Sequence, residues 1–204
     1  MSIRRVLTRA AVVISVAWLT GCAGSGSPVV AEFELDPCSD AILVPATCRG
    51  QDYVLLLDTG ASVCIFDRSV KEQLGEPIGR EYAMTHSGVE AVELYRAPPF
   101  VIGGRLLDAD EPVACQDLML LQMAIGEHVS GILGMSFLKD YALQLDVDGR
   151  RLRLLKSPVP DSLRTGSEVP LKLEPYSMPI VSADLGDTTD WSPGLDTGSS
   201  SFGA

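Results

Sequence analysis

The sequence predicts a globular protein of the all-β class, and three observations support that prediction. The composition, with 46% hydrophobic and 21% charged residues, is ordinary for globular protein. Glycine (19) and proline (13) are plentiful, and they divide the chain into short apolar runs separated by turn residues. No long, well-capped amphipathic helix stands out. Length and composition together allow one domain or two small ones.

The charge balance argues against nucleic acid as a partner. The formal net charge is -11, and it would be -14 without residues 1–21, which carry three arginines and no acids. A surface of this sign repels phosphate backbones, and no basic cluster compensates for it locally.

Residues 1–21 are predicted to be a signal peptide. They combine a basic start with an apolar run, residues 10–19, that is too short to span a bilayer. The letters "LTGC" that end at Cys22 resemble the bacterial lipobox, which implies cleavage before Cys22 and a lipid on that residue. We therefore expect an exported protein, lipid-anchored to a bacterial membrane and facing the periplasm or the exterior. The alternative is an ordinary signal peptide with a chance cysteine.

A flexible tether is predicted over residues 22–37, because glycine, serine and proline dominate its start. Export implies an oxidising compartment, in which the four remaining cysteines could form two bridges. Three pairings are possible, and the pairing of Cys64 with Cys115 is weakly favoured because both lie in β-like runs. We expect no metal site, since neither the cysteines nor the histidines have ligand-like spacing. Besides Cys64 and Cys115, the four cysteines that follow Cys22 include Cys38 and Cys48.

The segment 38–157 is predicted to be the main folded lobe, built largely from hairpins. Polar or glycine-containing turns separate successive apolar runs, and two short stretches, residues 68–75 and 135–141, have helical character. The predicted turns are at residues 49–52, 86–88, 103–104 and 148–149.

The stretch "VLLLDTGASVCIFD", residues 54–67, places Asp58 between two apolar strands. The simple interpretation is a turn that happens to contain an acid. The alternative is a functional carboxylate, because a loop held on both sides by core strands fixes its side chain rigidly. The context favours the second interpretation.

These residues resemble the active-site loop of the pepsin and retropepsin superfamily of aspartic proteases. A second family element, "GILG" at residues 131–134, resembles the hydrophobic-glycine motif that crosses behind the catalytic loop, here Ile132, Leu133 and Gly134. The resemblance covers roughly residues 42–155. It implies a closed-barrel lobe of the acid protease fold, and an endopeptidase that hydrolyses polypeptides with an activated water and needs no cofactor.

Carried over residue by residue, the resemblance makes Asp58 one catalytic acid. Thr59 would hydrogen-bond to an opposing loop, and Gly60 would let the backbone approach the site closely. Ser62 would bond the outer oxygen of the carboxylate. The hairpin around residues 86–88 is placed like the flap that covers substrate in that family.

A partial repeat follows a predicted linker at residues 158–169. Residues 170–204 restate the order of a hairpin followed by "LDTG", and we expect them to be the start of a second, incomplete lobe. Pro193 and Gly194 interrupt the apolar strand expected before the loop. The residues that match the first loop are Asp196, Thr197, Gly198 and Ser200.

Three interpretations of the second acid remain open at this point. Asp58 and Asp196 form a dyad in a two-lobed chain, or Asp58 meets its own symmetry mate in a homodimer. The third is a lipid-anchored, non-catalytic binding domain of the same fold, because a fold does not establish an activity.

Overall fold

The computed structural model describes residues 27–37, 39, 41–85, 88–106, 110–164, 166–173, 178–182 and 192–199. Within these ranges strands dominate and the helices are short, which confirms the all-β prediction. The strands are β1 (Val29–Glu34), β2 (Leu43–Cys48), β3 (Gln51–Leu57), β4 (Ile65–Asp67), β5 (Gly79–Thr85), β6 (Gly88–Arg96), β7 (Val101–Ile102), β8 (Arg105–Leu106), β9 (Pro112–Gln116), β10 (Gly131–Leu133), β11 (Ala142–Asp146), β12 (Arg151–Leu155), β13 (Leu171–Leu173) and β14 (Pro179–Val181). The helices are α1 (Lys71–Leu74), α2 (Met119–Ile125) and α3 (Met135–Leu138), and single 3-10 turns occupy Arg68–Val70 and Asp161–Leu163.

The strands form one large sheet and two small ones. The large sheet has nine strands in the order β5-β6-β9-β4-β10-β3-β2-β7-β8, and β1-β12-β11 and β13-β14 form the others. Each of these sheets is open among the described residues, so the closed barrel expected from the resemblance is not confirmed.

The centre of the large sheet positions the candidate site. Strand β10 runs parallel to β3, with Leu133 opposite Leu57, and antiparallel to β4, with Ile132 opposite Ile65. The chain between β3 and β4 therefore leaves and re-enters the sheet on the two sides of β10. That chain is residues 58–64, which contain Asp58.

The hydrophobic core joins the large sheet to the three-stranded sheet. Leu55, Leu57 and Phe66 belong to the same buried cluster as Leu152 and Leu154 of β12. Burial of this apolar surface is the main favourable contribution to folding. Both strands that flank the Asp58 loop are thus fixed by core packing.

Strand β1 corrects the predicted tether. Val29–Glu34 pair antiparallel with β12, and Ala31 and Phe33 are only 7% and 8% exposed. The prediction of a flexible segment over residues 22–37 is wrong for these six residues. The apolar and acidic residues of "AEFE" alternate with the period of a half-buried strand, a signal that the neighbouring glycines and serines obscured.

Most of the predicted hairpins and helical turns are confirmed. β2 with β3, β5 with β6, β7 with β8 and β11 with β12 all pair antiparallel. The flap-like tip, residues 86 and 87, lies outside the described residues. Helix α2 was not predicted, because its nearly continuous apolar sequence "MLLQMAI" has no amphipathic period.

The predicted bridge between Cys64 and Cys115 is wrong in this structure, where both are free thiols, as is Cys48. The register explains this result. Strand β4 runs parallel to β9 with Phe66 opposite Cys115, so Cys64 lies two residues away from the position that faces Cys115. Cys38 lies outside the described residues.

No helix in the described part of the chain is long and apolar enough to cross a membrane.

Candidate active site

The loop that carries Asp58 is attached to the sheet by main-chain hydrogen bonds. The N–H of Leu57 donates to the carbonyl of Ile42 at 2.8 Å, and the N–H of Asp58 donates to the carbonyl of Leu133 at 3.1 Å. Because Leu133 belongs to the hydrophobic-glycine motif, that motif contacts the acid's own backbone. The main chain of Asp58 is therefore fixed from both neighbouring strands.

The carboxylate of Asp58 is held by its own loop. Its Oδ1 accepts hydrogen bonds from the N–H groups of Gly60, at 2.7 Å, and Ala61, at 3.2 Å. Main-chain donors fix the direction of a carboxylate without a flexible side chain in between. The orientation of Asp58 is therefore a property of the backbone of the loop.

The expected bond from Ser62 to the carboxylate is not formed between these two described residues. The Ser62 side chain is exposed, and the residue contributes its carbonyl instead, which accepts from the N–H of Ser136 at 3.0 Å. The loop amides of Gly60 and Ala61 already occupy Oδ1 of Asp58.

A second loop, residues 195–198, lies against the first. The carboxylate of Asp196 repeats the local geometry of Asp58, since its Oδ1 accepts from the N–H of Gly198 at 2.9 Å. The main chain before Asp196 pairs with β14: Leu195 N–H donates to the carbonyl of Pro179 at 2.8 Å, and Gly194 bridges Ile180. Pro193 and Gly194 therefore do not prevent this pairing, which the described residues 192–199 form with β14.

Two threonines join the loops reciprocally. The N–H of Thr59 donates to Oγ1 of Thr197 at 3.0 Å, and the N–H of Thr197 donates to Oγ1 of Thr59 at 3.1 Å. Each hydroxyl then donates across the junction, Thr59 to the carbonyl of Leu195 at 2.5 Å and Thr197 to that of Leu57 at 3.1 Å. Each hydroxyl therefore accepts one hydrogen bond and donates another. Thr59 is 4% exposed, so these bonds are largely shielded from water.

The glycines that follow the threonines allow the two acids to approach. A Cβ added to Gly60 would lie 2.7 Å from Cγ of Asp196. A Cβ added to Gly198 would lie closer still to Cγ of Asp58. The carboxylate of each loop therefore occupies the space that a side chain at the other loop's glycine would need.

The electrostatics of the pair are asymmetric. Burial raises the pKa of Asp58, and the neighbouring charge of Asp196 raises it further, to about 6, against the opposing effect of the hydrogen bond from Gly60 N–H. Asp58 is half-buried and Asp196 is exposed. Two nearby carboxylates disfavour simultaneous ionisation, which is the condition under which a pair shares one proton.

The hydrophobic-glycine motif lies against the first loop. A Cβ at Gly134 would collide with main-chain atoms of Val63 and Ala61, so a larger residue there would push the loop forward. Ile132 and Leu133 are buried in β10 between the two loop-bearing strands.

Two of the predicted site residues, Cys22 and Ser200, lie outside the described residues.

Sequence reasoning missed one residue of the site's support, Ser136. Its hydroxyl accepts from the N–H of Cys64 at 3.1 Å, at the far end of the Asp58 loop. The two residues are 72 positions apart, and a serine in a short helical segment carries no signal of such a contact.

The described residues hold no group of three or more His, Cys, Asp or Glu that could bind a metal ion.

Comparison with known families supports an assignment for part of the chain. Residues 44–137, somewhat under half of the chain, match the family model described as aspartyl protease. The matched segment includes Asp58 and the whole "GILG" motif. The match supports an aspartic protease family for this segment, and with it a protease hydrolase whose substrates are polypeptides. No curated protein matches the chain.

Proposed function

We propose that this protein is an aspartic endopeptidase in which Asp58 and Asp196 form the catalytic dyad and activate one water molecule. The observation that carries the proposal is the reciprocal pair of hydrogen bonds between Thr59 and Thr197. Those bonds bring together two acids that are 138 residues apart in sequence, each in the same Asp-Thr-Gly loop.

The carboxylate pair supplies both an acid and a base. Below about pH 6 Asp58 keeps a proton, because burial and the charge of Asp196 raise its pKa to about 6. We assign the general base to Asp196, the more exposed of the two acids, which takes a proton from the attacking water. Asp58 donates a hydrogen bond to the oxygen of the scissile carbonyl and stabilises the negative charge that develops there.

The hydrolysis is balanced within this pair. The water oxygen bonds to the carbonyl carbon, and one water proton passes to Asp196. That proton is then transferred to the amide nitrogen as the carbon–nitrogen bond breaks, which yields a carboxylic acid and an amine. Asp196 has then passed on the proton that it took, and Asp58 has kept its own, so both carboxyl groups are back in their starting protonation states.

The domain organisation follows from the same pairing. We propose that residues 38–157, with β1, form one aspartic protease lobe, and that residues 170–204 are the start of a second lobe. Support comes from β13 and β14, which precede the Asp196 loop as β2 and β3 precede the Asp58 loop.

We also propose an exported, lipid-anchored location with Cys22 as the modified residue. Because β1 begins at Val29, only the six residues 23–28 separate the anchor from folded protein, a reach of at most about 25 Å. The substrate would then be a polypeptide close to the membrane. Incorporation of labelled fatty acid into the wild-type protein but not into Cys22→Ala would support the anchor, whereas equal labelling of both would exclude it.

The activity is tested with Asp58→Asn. The variant and the wild-type chain are incubated with an unstructured protein from acidic to neutral pH, and cleavage is followed over time. The matched control is Asp52→Asn, the same change at an exposed position on β3. We expect Asp58→Asn to lose cleavage and Asp52→Asn to keep it. Unchanged cleavage by Asp58→Asn would exclude an aspartic mechanism at this site.

A further inference from the structure

Three hydrogen bonds join helix α3 to the far side of the Asp58 loop. The N–H of Met135 donates to the carbonyl of Ala61 at 2.8 Å, and that of Ser136 donates to the carbonyl of Ser62 at 3.0 Å. The third bond runs in the opposite direction, from the N–H of Cys64 to Oγ of Ser136 at 3.1 Å. The backbone of residues 61–64 is thus attached to the first turn of α3.

Only the third of these bonds depends on a particular side chain. Cys64 lies just before the first residue of β4 and is 1% exposed, so its N–H has no access to water. Ser136 is 9% exposed, and its hydroxyl both accepts from this N–H and donates to the sulfur of Cys64 at 3.5 Å. A buried amide without a partner destabilises the folded state. The hydroxyl of Ser136 therefore stabilises this conformation of the main chain at Cys64.

Ala61 connects this attachment to the acid. Its carbonyl accepts from α3, while its N–H donates to Oδ1 of Asp58 at 3.2 Å. A displacement of residues 61–64 therefore changes the position of a donor to the carboxylate.

We propose that Ser136 is a positioning residue for the dyad: by binding the main chain of Cys64 it holds the loop that orients the carboxylate of Asp58. This inference rests on the proposed function. The hydrogen bonds of Ser136 run to Ser62 and Cys64 and not to either acid, so it acts through the loop and not on the substrate.

The expected effect on Asp58 has a definite sign. Burial and the charge of Asp196 are the two largest causes of its raised pKa, and both depend on the closeness of the loops. When the loop loosens, Asp58 gains water and moves away from Asp196, which lowers its pKa, whereas a weaker bond from the N–H of Ala61 raises it. Burial and the charge of Asp196 are the larger causes and the bond from Ala61 the smallest, so the pKa falls from about 6 towards the ordinary carboxyl range. A change in stability alone would not move this pKa in the folded protein.

The test is Ser136→Ala in the full chain, with two readouts. The pKa of Asp58 is measured by NMR titration of its labelled carboxyl carbon, and kcat and KM are measured on an unstructured protein substrate. We expect a lower pKa for Asp58, a kcat reduced by about 10- to 100-fold and a KM close to that of the wild type. A folded variant whose Asp58 pKa equals that of the wild type would overturn the proposal.

Two further variants separate positioning from a general effect of a buried serine. Ser130→Ala removes a hydroxyl that is as well buried, 7% exposed, and that takes part in no hydrogen bond found among the described residues. It should leave both readouts unchanged, and Ser136→Thr, which keeps a hydroxyl, should restore much of the wild-type behaviour. An equal effect of Ser130→Ala and Ser136→Ala would contradict the proposal.

The design also distinguishes failure of the inference from failure of the function. If the wild-type chain cleaves nothing, the proposed activity fails, whereas the pKa comparison still decides the role of Ser136. If Ser136→Ala does not fold, the pKa of Asp58 is measured in Ser136→Cys, which keeps the volume of the side chain but is a weaker acceptor. A lower pKa than in the wild type supports the proposal, and an equal pKa overturns it.

Discussion

At the residue scale, the acid at position 58 is a carboxylate held by backbone rather than a turn residue. Its orientation comes from the amides of Gly60 and Ala61, and the space in front of it is created by Gly198 of the other loop. The raised pKa of Asp58 follows from those contacts, because they place it beside Asp196 and partly away from water.

This raised pKa predicts how stability depends on pH. An acid whose pKa is higher in the folded state than in the unfolded state, where it is about 4, favours folding at low pH. The contribution of Asp58 is therefore fully present below about pH 4 and is lost as the pH rises through about 6. We predict that Asp58→Asn gains stability relative to the wild type over this window, on the order of 2 kcal/mol.

The measurement is urea denaturation of both proteins at several values between pH 4 and pH 7.5. The Asp52→Asn variant is the matched control, because it makes the same change at an exposed position on β3. A stability difference between Asp58→Asn and the wild type that does not change with pH would show that Asp58 titrates as an ordinary exposed acid.

Sequence alone predicts much of this site and misses part of it for a physical reason. Asp58, Thr59 and Gly60 lie in a short contiguous motif between core strands, so the motif can be recognised from the sequence. Asp196 and Thr197 repeat that motif. The contribution of Ser136 depends on how closely α3 approaches the loop, and no local pattern encodes that approach.

At the element scale, β1 has a larger role than its sequence suggested. Phe33 packs in the same core cluster as Leu152 and Leu154, and β1 extends the three-stranded sheet by pairing with β12. The hairpins were predictable because glycine and polar residues mark their turns. The extent of β1 was missed, because its alternating pattern is short and adjoins glycine and serine residues, and its partner β12 lies about 120 residues further on.

Truncation of Phe33 tests this part of the fold. We predict that Phe33→Ala lowers the free energy of unfolding by about 3 kcal/mol, because it removes a buried aromatic side chain. Glu34→Ala, an exposed position on the same strand, should change stability by less than about 0.5 kcal/mol. Urea denaturation gives both values. A Phe33→Ala variant as stable as the wild type would contradict a packed strand at residues 29–34 and favour the flexible tether predicted from the sequence.

At the scale of the whole molecule, the two Asp-Thr-Gly loops belong to one chain. Leu195 and Thr197 occupy the bonding positions on Leu57 and Thr59 that a second copy's loop would need in a homodimer.

The fold class and the partial repeat were predictable from strand and motif order. Barrel closure was not confirmed, because it depends on pairing between strands distant in sequence, which periodicity does not specify.

The most direct measurement is the cleavage rate of Asp196→Asn on an unstructured protein, at two or more enzyme concentrations alongside the wild type. The intramolecular dyad predicts that the variant loses cleavage and that the wild type has a specific activity independent of its concentration. The structural reason is the contact between the two loops through Thr59 and Thr197. An Asp196→Asn protein that cleaves as fast as the wild type, with specific activity that rises with concentration, would contradict the dyad and favour a homodimer built on Asp58.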